Sequence, residues 1–148
     1  MLHDVAEDCG GEPRLTDIAE KFGDRVAHIV RGCSDSLVVD EDKKAPWRDR
    51  KEAHIEHLRS SNSDVLLVTA ADKTHNARAI STDIQSIGNK VWDRFNSDQE
   101  QILWYYNSVY KVLLDGGVTS TLLKSFRLQP INSQIDLLVL ISSTALLQ

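Results

Sequence analysis

From Asp64 to Ala71 the chain reads Asp-Val-Leu-Leu-Val-Thr-Ala-Ala, an unbroken apolar run behind a residue type that caps helices. Such a run suits a helix buried on most sides, because a surface helix keeps one polar face. It is expected to be the central helix, with the other elements laid against it. Asp72, Lys73, His75 and Asn76 follow within little more than one turn. A carboxylate emerging from the middle of a buried helix is costly unless it meets a cation, hydrogen bonds or a water-filled cleft. The plain reading is an acid satisfied by Lys73 or His75.

The sequence on either side is also helical in period. Thr16 is a plausible N-cap for a helix that Phe22-Gly23 closes, and Asp24 is placed to cap the next. That next helix carries Val26, Ile29 and Val30 as a stripe, with His28 beside it as a partly buried structural histidine. Residues 33–46 lack periodicity and are expected to form a loop. Trp47 to Arg59 returns to helix, with Ile55 and Leu58 as apolar contacts and Arg48, Arg50 and Lys51 as a basic cluster. His54 and His57, three apart here, have no Cys or carboxylate motif nearby and read as structural. Gly88 ends the central helix, and Val91 to Phe95 is a short packing segment. Ser97 with Glu100 makes a capping box for a helix from Asp98 to Asp115, whose stripe is Ile102, Leu103, Tyr106, Val109, Tyr110 and Leu113. Gly116-Gly117 terminates it. The fold class is therefore all-α.

Composition narrows the partners. In 148 residues, 41% hydrophobic and 26% charged content is enough for one soluble domain with a buried core. A formal net charge of −5 argues against polymeric nucleic acid, because phosphate binding runs on clustered Lys and Arg. Cys9 and Cys33 form no metal pattern and no disulfide framework, which fits a reducing, cytoplasmic setting. No apolar run approaches the roughly 20 residues needed to span a bilayer, so no membrane role is expected.

The other dense stretch is His3-Asp4-Val5-Ala6-Glu7-Asp8. On a helix His3 and Glu7 lie four apart, as do Asp4 and Asp8, so one broad face carries three carboxylates and an imidazole. Their repulsion costs stability unless a cation or a basic rim offsets it, and a divalent metal is the simplest candidate. The alternative is a solvated helix start, where acidic side chains favour the positive end of the dipole.

An adjacent His3-Asp4, then Glu7-Asp8, then Ala71-Asp72-Lys73-x-His75-Asn76 after an apolar run resembles the HD-domain phosphohydrolases. The nearest resemblance is to the RelA/SpoT-type domain that hydrolyses guanosine tetraphosphate alarmones. It implies an HD-domain-like helical bundle, with His3, Asp4 and Asp72 as metal ligands and manganese as the favoured divalent ion. It further implies that Glu7 and Asp8 handle the attacking water, that Arg50 and Lys51 lie near the phosphates, and that Asn76 touches the nucleoside. The implied reaction is metal-dependent hydrolysis of a small phosphorylated nucleotide, with removal of a 3′-pyrophosphate from (p)ppGpp as its best-matched form.

The family pattern includes a further metal-binding His on an earlier helix, together with upstream basic and tyrosine residues. This sequence starts two residues before the doublet, so it reads as an N-terminally truncated member lacking the first helices. Residues 1–117 form the HD-type part. The competing reading is a non-catalytic remnant or nucleotide-binding module that keeps the fold. Residues 118–148 carry almost no charge after Arg127 and leave the resemblance; they are a C-terminal extension open to three readings, a buried terminal helix, a surface for a homo-oligomer or an unrelated appendage.

Overall fold

The computed structural model describes residues 2–119. Among them are α1 (Val5–Asp8), α2 (Gly11–Phe22), α3 (Asp24–Cys33), α4 (Trp47–Arg59), α5 (Ser63–Ile87) and α6 (Gln99–Asp115). Three 3-10 segments, Leu2–Asp4, Glu41–Lys43 and Gly88–Arg94, complete the regular structure. The all-α expectation holds, and no strand occurs among the described residues. The C-terminal extension, from residue 120 on, lies outside them. Two compact units divide the chain, one up to Thr69 and one from Ala70.

In the first unit, α1, α2 and α3 close around Ala6, Leu15, Ile18 and Val30, with Val26, Ala27 and Leu37 packed against that cluster. Burial of Leu15, Ile18 and Val30 contributes about 1.5–3 kcal/mol each. Helix α2 opens at Gly11, earlier than Thr16 predicted, because a proline in the first turn lacks an N–H that would have no intrahelical partner anyway. Thr16 lies inside the helix and donates its hydroxyl to the Glu12 carbonyl at 3.4 Å. Gly23 ends α2 and begins α3 in one residue, at φ 87° and ψ 160°, a region open essentially to glycine alone. Asp24, expected as the cap, is therefore the first helical residue and makes no cap bond. His28 is exposed, not partly buried, since it falls about 200° round the helix from both Val26 and Val30.

Helix α4 has the bounds the sequence predicts, with Ile55 and Leu58 buried. The start of α5 is capped by Asn62, whose Oδ1 accepts the Val65 N–H at 3.1 Å. Asp64, predicted for that task, instead accepts from Arg25 Nε at 2.8 Å. Gly32 on α3 passes so close to Val65 that a Cβ there would lie 2.7 Å from both Val65 methyls. Gly32→Ala is accordingly expected to destabilise the fold by about 1–3 kcal/mol, as overpacking does. A chemical-denaturation midpoint unchanged from wild type would contradict it.

In the second unit, α5 buries Ala70, Ala77 and Ile80, and the following 3-10 segment buries Val91 and Trp92. The predicted Ser97–Glu100 box does not form. Helix α6 starts one residue later, so Asp98 is the cap and its Oδ1 accepts the Gln101 N–H at 2.8 Å. The buried face of α6 is Ile102, Leu103, Tyr105, Tyr106, Val109, Val112 and Leu113, which adds Tyr105 and Val112 to the expected stripe and leaves Tyr110 half-buried. The helix ends in a Schellman motif: the Val118 N–H donates to Leu113 O at 3.0 Å and the Gly117 N–H to Leu114 O at 3.0 Å.

Candidate metal centre and its acidic cluster

The His-Asp doublet lies in the 3-10 turn Leu2–Asp4, one step before α1, and not on an α-helical face as its spacing predicts. His3 is buried at 9% exposure, with its Nε2 3.0 Å from Asp4 Oδ1. Asp72 lies on α5, where its carboxylate accepts from Lys73 Nζ at 2.8 Å and from Asn76 Nδ2 at 2.9 Å. Lys73 also stands 5.9 Å from the Tyr105 ring centroid. Burial works against the Lys73 charge, but Tyr105, Asp72 and Tyr106 outweigh it and hold the ammonium above its ordinary range. The Asp72 carboxylate is thus positioned by its own helix.

His3, Asp4 and Asp72 form a group able to hold a divalent metal, each offering one ligand atom and all of these within 4.8 Å of one another. One imidazole and two carboxylates is a donor set suited to first-row divalent ions or magnesium. Asn76, carried on the same face as Asp72 one turn later, spends its amide on that carboxylate. His75 is exposed, with Nδ1 3.4 Å from Asn76 Oδ1, in keeping with an orienting role.

Glu7 and Asp8 are unequal. Asp8 is exposed at the end of α1, whereas Glu7 is half-buried and accepts the Asp35 backbone N–H at 3.1 Å. Burial raises the Glu7 carboxyl, the nearby Asp35 charge adds to it, and the result is about 7. Burial pushes Asp35 the same way, but Lys51, Glu7 and Arg50 outweigh it and hold Asp35 below the ordinary carboxylate range. Of two neighbouring carboxyls, Glu7 therefore holds the proton near neutrality and Asp35 stays charged, the division of roles that acid–base sites use.

The basic cluster on α4 separates likewise. Arg48 pairs with Glu52 along its own helix at 2.7 Å. Arg50 and Lys51 both turn to Asp35, Arg50 Nη1 at 2.8 Å. Asp35 is the member of this cluster that the sequence reading missed. It stands isolated between Ser34 and Ser36 in an aperiodic segment, and the adjacent cations at 50 and 51 were the available hint that an anion had to face them. His54 is buried and His57 exposed on α4, so the two do not present a common ligand pair.

The second unit also holds a pocket of about 210 Å³, lined by Asn76, Ile80, Asp83, Arg94, Phe95 and Tyr106 among others. Asp83 and Arg94 pair across its rim.

The HD domain family pattern matches residues 1–98, two thirds of the chain, and the chain belongs to that family. Members in general bind divalent metals and act as metal-dependent phosphohydrolases. Among solved structures, the chain is similar to lmo0812 from Listeria monocytogenes EGD-e, whose crystal structure extends to 1.85 Å, at 27% identity and a TM-score of 0.57. That likeness covers 73% of this chain and 66% of the Listeria protein, so the chain spans just under two thirds of that relative. No curated protein matches. No described helix is long and apolar enough to cross a membrane.

Proposed function

We propose that the chain hydrolyses a phosphorylated nucleotide with a divalent ion, manganese for preference, held by His3, Asp4 and Asp72. The observation that carries this reading is the convergence of those three ligand atoms within a matched HD domain. The bound ion supplies Lewis-acid polarisation of a phosphoryl oxygen and a more acidic water. Glu7, titrating near neutrality, orients or deprotonates the attacking water, with Asp8 beside it at the helix end. Arg50 and Lys51 neutralise phosphate charge. Asn76 holds the nucleoside. The neighbouring pocket supports that placement: at about 210 Å³ it is smaller than a typical ligand site of roughly 300–1,000 Å³ and has room for a base or a sugar alone.

The substrate we favour is guanosine tetraphosphate, losing its 3′-pyrophosphate. A cytoplasmic, reducing setting belongs to the same reading, because two cysteines outside any CxxC pattern make no disulfide framework. The test is pyrophosphate release from guanosine tetraphosphate by the manganese-loaded protein. Release from other nucleotides but not from this one would retain the hydrolase and remove the alarmone. Release from none would remove the hydrolase reading.

A further inference from the structure

Asp35 ties together groups from three parts of the first unit, and the function proposed above gives it no task. Its side chain is 3% exposed. Oδ1 accepts from Arg50 Nη1 at 2.8 Å, Oδ2 accepts from Lys51 Nζ, and its backbone N–H donates to Glu7 Oε2 at 3.1 Å. Neighbouring residues on a helix point about 100° apart, so Arg50 and Lys51 converge only because one carboxylate offers an oxygen to each. Both cations are held further: Arg50 Nε donates to Ala45 O at 3.1 Å, and Lys51 Nζ lies 5.8 Å from the Trp47 ring centroid.

An ion cluster serving stability alone gains nothing from a second carboxylate placed against the first, since like charges in one buried site repel. Glu7 is such a carboxylate, and it receives the Asp35 N–H directly. The cluster joins a proton-handling group to two cations through one carboxylate.

We propose that Asp35 is a positioning residue of the hydrolysis, holding Glu7, Arg50 and Lys51 in one preformed arrangement that receives a pyrophosphate group. This rests on the reading in which Glu7 serves the water and the two cations serve the phosphates. Preformed donors need no reorganisation when charge develops on the transferring group, which is where such an arrangement gains rate. The charged groups acting on Glu7 are Asp35 from the segment after α3 and Lys51 from α4.

Asp35→Asn in the full, manganese-loaded chain keeps the side-chain size and the backbone N–H while removing the charge. The kcat for pyrophosphate release is expected to fall about tenfold or more, the scale of a misplaced catalytic group, with KM changed far less. The rising limb of the pH profile should also move to lower pH, because one of the charges that raises Glu7 is gone. Unchanged kcat with an unmoved limb overturns the proposal. Should Asp35→Asn not fold, Asp35→Glu decides: a folded protein with kcat still depressed supports the role, and full activity overturns it. If wild type releases no pyrophosphate from any nucleotide, the proposed function fails by itself. The arrangement is then judged by carbon NMR of the Glu7 carboxyl, where a lower titration midpoint in Asp35→Asn supports it and an unmoved midpoint overturns it.

Discussion

Asp72→Ala is expected to leave the protein without a bound divalent ion and without hydrolysis. Asp72 supplies one of the three ligand atoms that converge within 4.8 Å, so its removal leaves an imidazole and a single carboxylate. The loss should exceed the 10- to 100-fold that follows removal of a mere supporting contact to a metal ligand. A second effect adds to the first. Lys73 now donates to Asp72 at 2.8 Å, and without that carboxylate an ammonium remains beside the place the ion would occupy. Asp72→Asn, which retains an acceptor for Lys73 and Asn76, separates loss of the ligand from loss of the fold. Elemental analysis after dialysis against manganese is the measurement, with the exposed His57→Ala as the control that should bind normally. Undiminished uptake by Asp72→Ala would place the metal elsewhere.

Glu7→Gln should retain the ion yet lose about 100-fold or more in turnover, the contribution of a positioned acid–base group. Its effect on stability has a definite sign. Folding raises the Glu7 carboxyl from 4.5 to about 7, so its contribution is complete below pH 4.5 and is lost as pH rises through 7. Above pH 7 the folded state carries a half-buried carboxylate that the unfolded chain solvates more easily. That shift corresponds to at most about 3 kcal/mol, and partial solvent access brings it to about 1–2 kcal/mol. With a metal chelator present, Glu7→Gln should therefore melt higher than wild type at pH 8 and alongside it at pH 4. Parallel melting at both values would mean that the Glu7 carboxyl titrates as an ordinary one.

What the sequence disclosed followed from how local each signal is. The helix from Trp47 to Arg59 and the termination at Gly116-Gly117 were legible because periodicity and glycine act within a few residues. The grouping of His3, Asp4 and Asp72 was legible as a candidate only through the family resemblance, which joins residues far apart in the chain. Caps were misplaced by two residues at Asp64 and one at Ser97, since several cap-forming side chains compete at a helix start and the backbone selects one, and by six at Thr16, because the true cap there is Gly10, which has no side chain to signal it. Asp35 was invisible for a different reason. Its significance lies in groups 28 residues before it and 15 and 16 after it, and no local pattern records that meeting.

Gly23 and Gly32 should leave opposite signatures in a saturation scan of the chain. At Gly32 the obstacle is Val65, so the damage should climb with the size of the incoming side chain, and shortening Val65 to Ala should relieve much of it. At Gly23 nothing lies within 4 Å of an added Cβ, and the obstacle is the backbone angle itself. Alanine, glutamine and phenylalanine should all be penalised there by a similar amount, a step where Gly32 gives a ramp, and no second-site change elsewhere should repair it.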